Sequence, residues 1–160
     1  MTSCISELNL LIAEETGAGA LLQDERRAAL ADLLGNSHFQ PRNDNCGPYA
    51  LQISIEEGRL LLRMRNARHE ELSMLVLSLK PYRRMIQDYF LMLESYDSAR
   101  HHATREKLEA IDMARRALHN EGAELLIARM EDKIDMDFET ARRLFTLICV
   151  LHRNNIRLLG

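Results

Sequence analysis

The hydrophobic positions change period twice along the chain, and each change predicts a different kind of element. Residues 7–13 carry apolar side chains that suit a short strand or an amphipathic turn, before the glycine–alanine stretch 17–20 breaks the regularity. Residues 24–34 read as a helix with Leu30, Leu33 and Leu34 near one face and Gly35-Asn36 as its stop signal. Residues 38–48 are rich in breakers and predict a loop. The period then becomes two: Tyr49, Leu51, Ile53 and Ile55 alternate with Ala50, Gln52, Ser54 and Glu56, the pattern of a half-buried strand. Glu56-Glu57-Gly58 predicts a hairpin turn with Gly58 at positive φ. Leu60, Leu62 and Met64 mark the return strand, and a turn over 66–69 leads to a third strand at 72–79.

From Pro81 the spacing is helical. Tyr82, Met85, Ile86, Tyr89, Phe90, Leu93 and Tyr96 recur at i, i+3, i+4, i+7. Thr104 suits the N-cap of a second helix with Leu108, Ile111, Leu118, Leu125 and Leu126 on its buried stripe. Asp137 suits the cap of a last helix that turns Phe138, Ala141, Leu144, Phe145, Ile148 and Leu151 inward. Phe90-Leu91-Met92-Leu93 wraps much of its helix in apolar surface, which predicts cover on two sides, by the sheet and by a second helix or a partner subunit. The fold class expected is α+β. An N-terminal helix and a three- to four-stranded antiparallel meander (23–80) pack against a helical half of about three helices (81–160). The whole chain 1–160 forms one domain, and no internal repeat or low-complexity tract interrupts it.

Composition narrows the function classes. A chain of 160 residues buries roughly 70% of its unfolded surface and needs no disulfide or metal staple. With 21 basic and 24 acidic side chains the net charge is −3, which argues against nucleic acid as a partner. The acidity sits before Tyr49, where three basic and seven acidic residues give 3 − 7 = −4. No stretch has the make-up of an export signal, and the longest apolar run, 144–151, is far too short to span a membrane. Cys4, Cys46 and Cys149 are scattered with no CxxC spacing, as expected of a reducing cytoplasm.

Several stretches together resemble a bacterial family, the alphaproteobacterial uncharacterised protein family 0262. They are Gly47-Pro48-Tyr49; Lys80-Pro81-Tyr82-Arg83-Arg84 running to Asp88-Tyr89-Phe90; Glu94-Ser95-Tyr96; 109–116; 118–122; and 137–152. The resemblance extends from about Gln23 onward, with Ala114 and Ala117 standing where the family commonly has glycine. It implies a bacterial, cytoplasmic protein and supplies no activity, cofactor or catalytic residue.

Candidate chemistry centres on residues 112–122. At 100° per residue His119 and Glu121 point about 200° apart and cannot share a site on one helix face. His119 groups instead with Asp112, Arg115 and Arg116. Such a stripe can hold a phosphate or carboxylate, with His119 donating or shuttling a proton. It can equally be an ordinary ion-paired helix face with Arg115 or His119 as buried anchors. Arginine outnumbers lysine eighteen to three, and it recurs in pairs. Arg84, Arg116 and Arg143 each have an acid four residues away (Asp88, Asp112, Glu139), which leaves Arg83, Arg115 and Arg142 as the arginines able to converge on an anion. Gly122, inside a helix, marks close packing, a kink or a break.

Elsewhere the signals are weaker. Cys149 and His152 are i, i+3 and supply at most two metal ligands, so no metal and no cofactor is expected. His101 and His102 diverge to the surface. In the 38–48 loop, His38, Arg42, Asp44 and Cys46 are binding candidates, against the plainer reading of a variable connector. No Gly-rich phosphate loop, HExxH, GxSxG or dinucleotide fingerprint occurs. Two functions follow. One is a non-enzymatic binding or interaction protein, dimeric through helical and edge-strand surfaces. The other is an enzyme or binding protein for a small anionic ligand held by Arg115, His119 and Arg142 or Arg83, with Asp112.

Overall fold

The computed structural model describes residues 3–11 and 20–159. The end of the first expected element (12–13) and the glycine–alanine break (17–19) lie outside the described residues. Along the chain run β1 (Ile5–Leu10), α1 (Ala20–Gly35), β2 (Phe39–Pro41), β3 (Tyr49–Glu56), β4 (Arg59–Arg65), β5 (Leu75–Ser78), a 3-10 turn at Lys80–Tyr82, α2 (Arg83–Ala99), α3 (Arg105–Met130), β6 (Ile134–Met136) and α4 (Phe138–Leu159). The class is α+β, with three helices in the second half.

β3, β4 and β5 form the expected antiparallel meander, with Ile53 opposite Leu62 and Leu60 opposite Leu77. Glu57 and Gly58 both have positive φ, the two-residue turn that matches strand twist. The sheet as a whole is mixed rather than antiparallel, in the order β1-β3-β4-β5 with β1 parallel to β3. The reason is the connection. A chain that leaves β1, crosses through a helix and returns beside it arrives in the same direction, and α1 is that crossover. A second correction concerns the 38–48 loop. Phe39–Pro41 pairs antiparallel with Ile134–Met136 in a separate two-stranded sheet. Three residues are too few to display a period, and the partner strand lies more than ninety residues away.

One sheet face is buried. Tyr49, Leu51, Ile53, Leu60, Leu62 and Met64 join Tyr82, Ile86, Tyr89, Leu126, Phe145, Leu147 and Ile148 in one core. α4 is its central member and contacts α1, α2, α3 and β3. From Thr140 to Leu151 nearly every side chain of α4 is buried, so the apolar run 144–151 is a helix enclosed all round. On α2, by contrast, Leu91 is 60% exposed: that helix is covered on one side only. Among the described residues no helix is long and apolar enough to cross a membrane.

The caps fall where the sequence places them. Thr104 accepts a hydrogen bond from the Lys107 N–H, and an Asp137 carboxylate oxygen accepts one from the Thr140 N–H at 2.9 Å. Pro81 lies in the first positions of the 3-10 turn that leads into α2.

A buried polar centre among the helices

Four helices bring polar groups to the middle of the helical half, two of them from α3. α1 presents Glu25, α3 presents Arg115 and His119, α4 presents Thr146, and the Tyr89 ring of α2 closes the group. Glu25 is only 7% exposed and His119 1%. The Arg115 guanidinium donates to Glu25 Oε1 at 2.8 Å and to Asp112 Oδ1 at 2.6 Å. The other oxygen of Glu25 lies 3.7 Å from His119 Nε2. Thr146 donates its single hydroxyl proton to the Arg142 carbonyl one turn back, so its oxygen is free to accept from His119 Nε2–H at 3.4 Å. That arrangement selects the Nε2–H tautomer.

Electrostatics keep this imidazole neutral. Burial, reinforced by the positive charges of Arg115, Arg142 and Arg143, lowers the His119 pKa to about 3. A hydrogen bond from Arg115 holds the Asp112 carboxyl below its usual range. Burial opposes the Arg115 charge, but its hydrogen bond to Asp112 and the Glu25 charge outweigh it and raise its pKa. Burial, with the nearby Glu25 charge, pushes the Tyr89 hydroxyl and the Cys149 thiol up. At neutral pH the centre therefore holds a neutral imidazole, a neutral phenol and a protonated thiol around one carboxylate–guanidinium pair. Beside it opens a cleft of about 220 Å³ lined by Leu21, Glu25, Met92, Tyr96, Ile111, Asp112 and Arg115.

The predicted stripe is thus placed together in part. Asp112, Arg115 and His119 adjoin, and Arg142 lies close enough to influence His119, while its own Nη1 is 3.0 Å from Glu139. Arg83 stands elsewhere: it precedes the cleft residue Met92 by nine positions, about 13 Å along α2, and its charge acts on His152. The expected Arg84–Asp88 and Arg116–Asp112 pairs form, both at 3.1 Å. The Arg143–Glu139 pair does not. Arg143 reaches Asp32 of α1 at 2.7 Å and Arg142 takes Glu139, because α1 packs directly on α4.

Glu25 is the residue that reading the sequence overlooks. Leu22, Ala29 and Leu33 are the buried stripe of α1, and Glu25 falls on it three residues after Leu22. A charge on an apolar stripe was the available signal. Gly122 resolves as close packing, since a Cβ there would lie 2.4 Å from Phe145 Cγ.

The 38–48 loop is fastened by its own polar residues. Asp44 Oδ2 accepts from the Cys46 N–H at 2.8 Å and the Tyr49 hydroxyl at 2.9 Å, and Oδ1 accepts from Asn66 Nδ2 at 3.1 Å. Burial opposes the Asp44 charge, but these donors outweigh it and lower its pKa. His38 meets Asp135 at 2.8 Å and Arg42 donates to the Glu131 carbonyl, both joining the loop to the β6 region. Cys4, Cys46 and Cys149 are all free. Among the described residues no group of three or more His, Cys, Asp or Glu is arranged to hold a metal ion.

The fold and this centre define a small α+β protein with an ion-paired Glu25–Arg115 centre buried among its helices. Comparison with known sequences gives it a family. The chain belongs to the Uncharacterised protein family (UPF0262), whose model matches residues 4–154. It is 50% identical over 135 residues to the UPF0262 protein of Erythrobacter litoralis, covering 82% of this chain and 84% of the relative. It is 45% identical over 148 residues to that of Paramagnetospirillum magneticum (92% and 94%) and 52% identical over 129 residues to that of Maricaulis maris (81% of each). No solved structure matches. The family is an uncharacterised one, so membership brings no activity and no catalytic residue to this chain.

Proposed function

We propose that the protein is a cytoplasmic, non-enzymatic interaction protein that self-associates through the free edge of its sheet. One observation carries this reading: β5 ends the sheet with Val76 half exposed on its outer face, preceded by Met74 at 44% exposure. Its sequence Leu75-Val76-Leu77-Ser78 contains none of the charges or prolines that ordinarily blunt an edge. The strand is self-complementary. An antiparallel copy with Val76 opposite Val76 sets Leu75 against Leu77, so inner faces meet inner faces and the two sheets become one. Three free thiols agree with a reducing compartment. Sedimentation velocity over a wide concentration range tests the proposal. The expected result is a dimer that Val76→Lys converts to a monomer that still unfolds cooperatively, at a temperature lowered by the loss of its partner. A monomer at every concentration overturns it, and fractionation of cells tests the compartment.

A second reading keeps Asp112, Arg115, His119 and Arg142, without the distant Arg83, as a site for a small phosphate- or carboxylate-bearing molecule. The cleft beside Arg115 favours it. It ranks second because Arg115 already engages two carboxylates. Thermal shift with carboxylate and phosphate compounds decides it: stabilisation that Arg115→Gln abolishes supports the site, and none across the series removes it.

A further inference from the structure

The outer face of the sheet carries two opposite charges that meet no partner. Pairing sets Asn9 beside Gln52 and Gln52 beside Arg63 in one row, and Glu7 beside Ala50 and Ala50 beside Arg65 in the next. Residues in these rows share one face, so Asn9, Gln52 and Arg63 stand side by side across three strands. Arg65 is bound to Glu71 at 3.4 Å. Among the described residues the side chains of Arg63 and Glu7 make no ion pair and no hydrogen bond. Both line a groove of about 560 Å³, within the size range of small-ligand sites.

One wall of this groove is held rigid. Asn66, 5% exposed, accepts from the Arg68 and Glu70 N–H groups at 3.0 Å through Oδ1 and donates to Asp44 through Nδ2. The network around Asp44 and Tyr49 therefore fixes the 66–72 segment against the sheet. A wall fixed before a ligand arrives adds no ordering cost to binding.

We propose that this groove binds a short zwitterionic peptide, its carboxylate on Arg63, its ammonium group on Glu7 and its amide groups on Gln52 and Asn9. Charge selects the ligand. Arg63 and Arg65 against Glu7 and Glu71 leave the lining near neutral, which suits a molecule carrying one charge of each sign and disfavours a phosphate dianion. Length selects it too. Two strand spacings and two residues separate the Cα atoms of Glu7 and Arg63 by about 12 Å, and a tripeptide extends about 10 Å, which the two side chains complete. Arginine matches a carboxylate in bidentate fashion. The inference rests on reading the protein as a binding module, but Arg63 and Glu7 lie on strands other than β5, so sedimentation and ligand titration fail independently.

Calorimetric titration of the full chain with Ala-Ala-Ala, its C-terminal amide, its N-acetyl form and inorganic phosphate tests the proposal. The tripeptide is expected to bind, and amidation or Arg63→Gln to weaken it at least tenfold. The amide is expected to bind Arg63→Gln as well as it binds the unaltered protein, and the N-acetyl form likewise with Glu7→Gln. Unchanged melting curves show that each variant is folded. Absence of tripeptide binding, equal binding of tripeptide and amide, or phosphate binding more tightly than the tripeptide overturns the inference.

Discussion

At the scale of single residues, the helical half is organised by one carboxylate. Glu25 is almost fully buried, and Arg115, two helices away in sequence, neutralises it while keeping contact with water beside Asp112. A buried ion pair adds little net stability, but removing one partner leaves the other charge stranded. Arg115→Leu is therefore expected to cost about 3 kcal/mol in a urea titration, and Glu25→Gln less, because the amide still accepts from Arg115. Restoring most of the lost stability in the double variant Glu25→Leu with Arg115→Leu would confirm that the stranded charge, rather than lost packing, is responsible. Equal costs for the two single substitutions would refute it.

At the scale of elements, α3 and α4 pack closely where Gly122 faces Phe145. Gly122→Ala improves helix propensity by up to about 1 kcal/mol, yet the added methyl meets a fully buried Phe145 ring that has nowhere to move. A net loss of about 1–3 kcal/mol is expected from denaturant unfolding, and Phe145→Leu in the same chain should recover part of it. Both helices are legible in the sequence, as are their caps and the β3–β4 hairpin, because period, capping residue and turn residue all act within a few positions. The parallel β1 and the β2–β6 pair are not legible: each depends on where the chain returns after a long excursion. The candidate site divides along the same line. Asp112, Arg115 and His119 share one helix face and can be grouped by spacing alone. Glu25, Thr146 and the Arg143–Asp32 pair enter through tertiary packing, which no local pattern records.

At the scale of the whole molecule, buried titratable groups set the pH range over which the fold is stable. His119 falls from an ordinary 6.5 to about 3 because burial and the neighbouring arginines disfavour its charge, and His152 shifts in the same direction through burial and Arg83. The unfolded chain thus takes up protons below pH 6.5 that the folded chain refuses. For His119 this stability is complete above 6.5 and is lost as pH falls toward 3, with a slope of up to about 1.4 kcal/mol per pH unit, and His152 adds to the loss in the same direction. Asp44 and Asp112, whose pKa values are lowered from 3.8, add a further loss only at more acid pH. At the alkaline end burial raises Tyr49 and Tyr82 from 10 to about 12 and Tyr89 further still, and neither the Tyr82 nor the Tyr89 hydroxyl has a hydrogen-bond partner. Their contribution is complete below pH 10 and is lost as pH rises through 12. Urea unfolding free energy is therefore expected to be flat between about pH 7 and 8 and to decline on both sides, the alkaline decline starting where the Cys149 thiol of the unfolded chain ionises near 9.0 while burial keeps the folded one protonated. His119→Gln isolates the acid limb. Its amide can still donate to Thr146, but it cannot titrate, so the decline between pH 6.5 and 4.5 should become shallower by up to one proton's slope while the alkaline limb is unchanged. Parallel acid limbs in the two proteins would mean that His119 is protonated in the folded state, and the neutral imidazole at the centre of the helical half would have to be abandoned.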